Sequence, residues 1–477
     1  MSLVLYNTQS RTKEVFKPIT PGHVGIYFCG PTVYSEPHLG HARGAVVFDV
    51  LRRWLRSEGY SVRLVSNVTD VGHLTDDGDL GTDKLIQRAK LEQLEPMEIA
   101  EKYFWSYFDG LASLNIERPD VIPRATGHIP EQIAITEELL SRDLAYERNG
   151  SVYFKVSEWQ RYGELSGRNP DDLLEGTRVE VRTEKDDPRD FALWKRAEKE
   201  HLMRWNSPWG DGFPGWHLEC TVMSTKYLGK EFDIHGGGLD LVFPHHECEL
   251  AQARGAGMPF ARFWLHWNMI TLGGEKMAKS KNHFISLRQL LTNHHPSEIR
   301  FHLLRSHYRS VSDFSEESLI SSAAGFKRLS DVHRTLISVS DQTDVTPDSM
   351  GPFGDYLNSF QEALNDDLNT PKAIAVLFDA AREANHILAK GETDFLSEAK
   401  FLFDYALVHT LGIPVMDNQS PRTTRIEGLV ELLIGQRDLA RQQRDFGQAD
   451  KIRSDLQNLG IMLEDGPNGT SWKLDNN

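Results

Sequence analysis

Between Gly25 and Phe28 the chain carries a short apolar run that ends in Cys29-Gly30-Pro31-Thr32. From Gly44 onward Val47, Phe48, Leu51, Trp54 and Leu55 recur at the spacing that lines one face of a helix. Val62, Leu64 and Val68 then alternate with other residues as in a second strand. Strand, turn, helix and strand in that order predict a β-α-β opening of a parallel α/β sheet. The composition changes near residue 125. From there to about Arg204 come a helical stretch, a hairpin-like piece around Gly150 to Lys155 and the charged, proline-containing segment Glu184 to Arg189. This reads as an insertion. Gly210 to Met269 returns to glycine-rich turns between short apolar segments, with Phe232-Asp233-Ile234 running into Gly236-Gly237-Gly238, as in the second half of an α/β site. Beyond Ser310 helical patterns dominate to about Leu411, and Pro414, Asn418 and Pro421 mark a linker before a small terminal unit.

Length and charge narrow the class. At 477 residues, and with roughly 150 residues per domain, about three or four units are expected. No window approaches the roughly 18 uninterrupted apolar residues of a membrane span, and Met1 to Lys13 lacks the layout of a secretory signal, so a cytoplasmic location is expected. The three cysteines, Cys29, Cys220 and Cys248, are too few and too scattered for a disulfide framework, which leaves metal binding, catalysis or burial. A formal charge of -16 argues against non-specific coating of nucleic acid, while local basic patches can still hold one RNA.

Two segments carry candidate chemistry. His38-Leu39-Gly40-His41 falls between the first strand and the first helix, where a nucleotide can approach glycine backbone and the positive end of a helix. Taken alone, two histidines at a helix start more often cap it or face solvent. Far downstream, Gly273-Gly274-Glu275 leads into Lys276-Met277-Ala278-Lys279-Ser280, whose paired lysines suit one anion, or simply a surface turn. Together the two segments resemble the HIGH and KMSKS signatures of class I aminoacyl-tRNA synthetases. Leu39 stands for isoleucine, Ala278 for the first serine, and Lys281-Asn282-His283 departs from the usual continuation. Attack of an amino-acid carboxylate on the α-phosphate of ATP builds charge on pyrophosphate, and His38, His41, Lys276 and Lys279 suit its stabilisation, with Gly40 admitting the nucleotide.

In Phe243-Pro244-His245-His246-Glu247-Cys248-Glu249 the proline can open a helix that puts His245 and Glu249 one turn apart, a chelating arrangement or a solvated helix start. Cys29-Gly30-Pro31-Thr32-Val33-Tyr34, Pro214-Gly215-Trp216-His217-Leu218-Glu219-Cys220, Phe232 through Gly238 and Pro244-His245-His246-Glu247 together resemble cysteinyl-tRNA synthetase over nearly the whole chain. The resemblance implies a zinc ion on Cys29, Cys220, His245 and Glu249; spacing alone leaves Cys248, three residues after His245, as an alternative ligand that would close the site. It also implies ATP with Mg²⁺, L-cysteine and tRNA(Cys) as partners, and Thr69, Trp216 and Asp240 about the substrate. A thiolate binds zinc strongly, whereas a serine hydroxyl is a poorer ligand that stays protonated, so metal ligation can separate near-isosteres that an apolar pocket distinguishes only about a hundredfold. After Asn67-Val68-Thr69-Asp70 the segment Val71 to Gly78 departs from the common family continuation and reads as a loop.

The terminal unit places Arg437, Arg441 and Arg444 at helical spacing as one basic face for RNA phosphates, or as an ion-paired surface. Its ending, Leu463 through Trp472, resembles the anticodon-binding tail of the family, which adds Phe446, Asp465 and Trp472 as tRNA contacts. The expected organisation is a Rossmann-like catalytic domain over 1–125 and 206–275, a connective insertion over 126–205, a KMSKS loop and stem-contact region over 276–310, a helical bundle over 311–415 and an anticodon-binding domain over 416–477. A monomer is expected. The rival functions are a cysteine ligase acting on a small amine, of the mycothiol-pathway type, and a non-catalytic zinc-stabilised RNA-binding protein. The tail disfavours the first and the two adenylate signatures disfavour the second.

Overall fold

A hairpin of β1 (Val4–Asn7) and β2 (Thr12–Val15) precedes β3 (His23–Phe28), α1 (Leu39–Ser57) and β4 (Ser61–Ser66), the strand-helix-strand unit expected from the periodicity. The computed structural model describes residues 2–477 apart from 72, 75–82, 170–184, 199–200, 277–283, 340–349, 416–420, 467–468 and 475–477, with backbone alone at 276, 421–428, 464–466, 469, 471, 473 and 474. Helices α2 (Lys84–Glu92), α3 (Pro96–Ser113) and α4 (Ile129–Ser141) follow. Next comes an antiparallel sheet of β5 (Ala145–Arg148), β6 (Ser151–Phe154), β7 (Phe191–Arg196) and β8 (Gly212–Pro214). Its first two strands are the expected hairpin, but the sheet runs on to β8, past the boundary drawn at 205. Strands so far apart in the chain leave no local signal that they pair.

After α5 (Trp216–Leu228), the strands β9 (Glu231–Gly238) and β10 (Phe260–Trp267) join β3 and β4, with α6 (Glu247–Gly255) between them. The four strands are parallel and lie in the order β10, β9, β3, β4. From β3 the chain goes on to β4 on one side, and from β9 to β10 on the other. The crevice beyond the carboxyl ends of β3 and β9 is therefore the switch point where open α/β sheets bind ligands. Close packing there depends on glycine: a Cβ on Gly236 would stand 1.9 Å from Phe48, and one on Gly237 2.4 Å from the His246 ring.

The remaining elements are β11 (Ile270–Leu272), β12 (Glu275–Lys276), α7 (Leu287–Asn293), α8 (Pro296–Leu304), β13 (Ser312–Phe314), α9 (Glu316–Val339), α10 (Phe353–Asn365), α11 (Thr370–Ala389) and α12 (Leu396–Phe403). Contacts divide the chain into two compact units, Met1–Val415 and Met416–Asn477. The second holds α13 (Pro421–Gln442), α14 (Phe446–Asn458) and an antiparallel pair, β14 (Ile461–Gly466) and β15 (Gly469–Leu474), about a core of Val430, Leu456, Ile461 and Leu463. Among the described residues no helix is long and apolar enough to cross a membrane.

Candidate active site and metal centre

Cys29 is the first residue after β3, Cys220 lies in α5, and His245 and Glu249 sit on the turn that enters α6. Three separate elements thus aim donors into the switch-point crevice. The ligand atoms of these four residues all lie within 4.8 Å of one another, and all four side chains are buried. The Sγ atoms of Cys29 and Cys220 are 3.8 Å apart, Cys29 Sγ is 3.8 Å from Glu249 Oε1, and His245 Nε2 is 3.1 Å from the same oxygen. Two thiolates held about 2.3 Å from one tetrahedral ion would be about 3.8 Å apart, so the spacing fits such an ion. The electrostatics agree. Burial pushes the Cys29 and Cys220 thiols and the Glu249 carboxyl up, and the His245 imidazole well down, so without a cation each group is driven to its neutral form. A dication reverses that preference, which is how such a donor set charges in a dry interior.

A second overlapping set, Cys29, His235, His246 and Glu249, meets the same distance criterion. Its imidazoles are already engaged: His235 Nε2 lies 2.8 Å from Glu249 Oε2, while His246 sits between Cys29 Sγ at 3.3 Å and His266 Nε2 at 2.7 Å. They suit a supporting layer that orients Cys29 and Glu249. His217 Nδ1, 2.9 Å from His245 Nδ1, braces His245 in the same way and leaves its Nε2 turned to the cluster. Sequence reasoning gave His217, His235, His246 and His266 no role. Only their density between Trp216 and Trp267 hinted at one.

Cys248 takes no part in either set. Its Sγ lies 3.3 Å from the Tyr162 hydroxyl, in a different core with Phe154, Phe191 and Leu218. One residue is a rotation of about 100° on a helix. Glu249 therefore faces the cluster while Cys248 faces the neighbouring core.

Trp216 stacks on His245 at a centroid distance of 4.2 Å and an angle of 30°, and on His73 at 4.0 Å and 10°. His73 belongs to the segment that departs from the family pattern, and its Nδ1 is 2.5 Å from Thr32 Oγ1. Thr69 is buried and hydrogen-bonds Glu219 Oε2 at 2.7 Å, and burial pushes the Glu219 carboxyl well up. Asp240 is exposed on the short turn Leu239–Leu241 that follows β9.

His38 caps α1. Its Nδ1 accepts from the His41 N–H at 3.3 Å, His41 Nδ1 accepts from the His38 N–H at 3.2 Å, and the two rings stack at 3.7 Å. Since both Nδ1 atoms accept, each neutral ring carries its proton on Nε2 and presents a donor there. Gly40 lies in the first turn between them. Lys276 ends β12, with only its backbone described, and Lys279 lies outside the described residues.

In the second unit the expected row of arginines is not one face. Arg437 is buried, with Nη1 donating to Thr470 Oγ1 at 3.2 Å, so it braces α13 against β15 rather than facing phosphates. Arg441 and Arg444 are exposed, but α13 ends at Gln442 and Arg444 has a φ of +62°, which takes it off the helical row. Phe446 is 60 % exposed, Trp472 packs against the small core, and the Asp465 side chain lies outside the described residues.

The chain is also similar to known proteins in sequence and in fold. Residues 15–324 match the tRNA synthetases class I (C) catalytic domain and residues 359–414 match the DALR domain. The chain is 51 % identical over 484 residues to a cysteine–tRNA ligase of Thermus thermophilus, covering 100 % of both. This chain belongs to the cysteine–tRNA ligase family. The same family name is carried by a Deinococcus radiodurans relative, 51 % identical over 99 % of this chain and 97 % of that one. It is also carried by one from Chlorobium chlorochromatii, 47 % identical over 99 % and 100 %. In fold alone, the chain resembles a Mycobacterium tuberculosis methionyl-tRNA synthetase in complex with methionyl-adenylate, with a TM-score of 0.61 at 13 % identity over 82 % of this chain and 92 % of that one. A putative arginyl-tRNA synthetase from Campylobacter jejuni gives 0.53 at 14 % identity over 83 % and 94 %.

Proposed function

We propose that this chain is a cysteine–tRNA ligase that activates L-cysteine with ATP and transfers it to tRNA(Cys), taking the substrate thiol at the buried cluster of Cys29, Cys220, His245 and Glu249. The convergence of those four side chains at the switch point carries the reading. Two soft thiolates with an imidazole and a carboxylate favour zinc, which when bound supplies a Lewis acid that ligates a thiolate far better than a hydroxyl.

The remaining steps belong to the chain's own residues and to ATP with its Mg²⁺. Trp216 walls the side-chain pocket, and Thr69 and Asp240 accept from the substrate ammonium. A carboxylate oxygen of cysteine attacks the α-phosphorus, the bond to the β-phosphate oxygen breaks, and pyrophosphate leaves with the bonding electrons. The Nε2–H groups of His38 and His41, with Lys276 and Lys279, meet the charge that grows on the phosphates. A tRNA ribose hydroxyl then attacks the adenylate carbonyl and AMP departs. Arg441, Arg444 and Phe446 are the exposed groups of the second unit suited to RNA.

Aminoacylation of total tRNA with each amino acid in turn tests the reading, and cysteine should be the preferred substrate. A preference for another amino acid refutes it. Truncation after residue 415 should keep cysteine-dependent pyrophosphate exchange and sharply reduce charging. Equal charging by the truncated chain would favour recognition confined to the acceptor end, or a small-amine ligase.

A further inference from the structure

Arg43 is on α1, in the turn after His41, and is 1 % exposed. Its guanidinium reaches three carbonyl oxygens: Nη1 donates to Met269 at 3.0 Å, and Nη2 donates to His307 at 3.0 Å and to Ser310 at 2.7 Å. Burial lowers its pKa to about 10, and no carboxylate figures among the causes. Carbonyl dipoles meet its charge. Met269 immediately precedes β11, and Ser310 lies just before β13, so one side chain from the helix of the first signature grips the roots of both strands.

In the middle of β13, three residues beyond Ser310, stands the exposed Asp313. Thr271 of β11 lies opposite it, β11 folds back on β12, and the turn between them is Gly273-Gly274, both at positive φ. Asp313 Oδ1 accepts from Thr271 Oγ1 at 2.6 Å and from the Gly274 N–H at 2.8 Å, and the two donors hold its carboxyl below the usual range. One oxygen thus ties the turn to the neighbouring strand. Lys276 ends the hairpin two residues later.

Residues 285–287 are gripped in turn by the start of α1. His38 bridges Ser286, the Leu39 N–H donates to Ile285 O at 3.3 Å, and the Leu287 N–H donates to Pro37 O at 2.9 Å. The β11–β12 hairpin and residues 285–287 are therefore both fastened to the start of α1, which carries His38 and His41.

We propose that Asp313 and Arg43 are positioning residues for adenylate formation, fixing the β11–β12 hairpin, and with it Lys276, relative to His38 and His41. The inference rests on the function proposed above and assigns these residues no contact with substrate. Positioning acts on the rate of a step whose charges must be met in a fixed geometry, and less on binding of the amino acid.

Asp313→Ala removes the acceptor and should lower kcat for cysteine-dependent pyrophosphate exchange about tenfold, with the KM for cysteine unchanged. Asp313→Asn keeps a carbonyl oxygen able to accept both bonds and should stay within about twofold of the parent. Arg43→Lys, checked for folding by circular dichroism, should also lower kcat without moving the KM for cysteine. Amide hydrogen exchange over residues 271–276 gives a readout that needs no activity: Gly274 should lose protection in Asp313→Ala and keep it in Asp313→Asn. If Asp313→Ala exchanges pyrophosphate at the parent rate, or Asp313→Asn falls as far as Ala, the positioning role is overturned. If the parent fails to exchange with cysteine, the functional reading falls instead, and unaltered Gly274 protection in Asp313→Ala then disposes of the anchoring on its own.

Discussion

Cys29, Cys220, His245 and Glu249 are at most 7 % exposed, and behind them stand His217, His235 and His246, each hydrogen-bonded to a ligand. His38, Gly40 and His41, at the start of α1, are half-buried, and the two histidines exchange reciprocal bonds between ring nitrogens and backbone N–H groups. The thiol end is fixed by side chains packed in a low-dielectric core, where a lost partner leaves a buried group uncompensated. On the function proposed above, the phosphate end is set by the capped start of α1 and by the anchors Arg43 and Asp313, so a lost donor such as Lys279 should remove charge stabilisation and leave the thiol cluster intact, whereas a lost anchor should loosen the hairpin. Selection of the amino acid and acceleration of its activation should therefore fail separately.

The largest effect is expected at the thiol end. Cys220→Ser removes one soft ligand and should lower zinc content and cysteine activation together, the latter by roughly a hundredfold or more, while eroding rejection of serine. Zinc stoichiometry measured beside cysteine and serine activation tests this, with Cys248→Ala as the control that should change neither. Loss of zinc with undiminished rejection of serine would make the metal structural and shift selectivity to the pocket around Trp216. Zinc loss in Cys248→Ala, with retention in Glu249→Ala, would overturn the ligand assignment.

Lys279→Ala probes the opposite end. Adenylate formation in a single turnover should slow by about a hundredfold while cysteine affinity stays unaltered, since one donor aimed at developing charge is worth about 3 kcal/mol. An unaltered rate removes Lys279 from the phosphate end, and a parallel loss of cysteine affinity would join the two ends that the comparison separates.

The smallest expected effect sharpens the thiol end from behind. His217→Ala leaves His245 Nδ1 without its 2.9 Å partner and should weaken zinc affinity about tenfold, read by competition with a chelator. Unchanged affinity would make the packing of Trp216 on His245, rather than His217, the source of that ligand's orientation.

How much of this was legible depended on whether a signal was local. The β3, α1, β4 unit followed from hydrophobic spacing, although Val68 lies beyond β4, where the chain has turned to pair Thr69 with Thr32. The pairing of His245 with Glu249 followed from helical spacing, whereas Cys29 and Cys220 are brought together only by the packing of α5 on β3 and are found through the family's phrases. The supporting histidines escaped because each acts through a partner distant in the chain, as His217 does through His245. Arg437 shows another limit. Periodicity says which residues share a helical face, but not whether that face turns toward solvent or toward Thr470.

The connection from β3 to α1 begins with Cys29 and ends at His38, so on the proposed function a single loop would bear part of the amino-acid test and the first half of the nucleotide grip. For an engineer this loop is the least divisible part of the molecule. A graft that lengthens it to alter the pocket would also shift the histidines, and the new specificity would arrive with a slower enzyme. Retargeting is better begun on α5 and on α6 with the segment that leads into it, which bring Cys220, His245 and Glu249 to the same place from outside that loop.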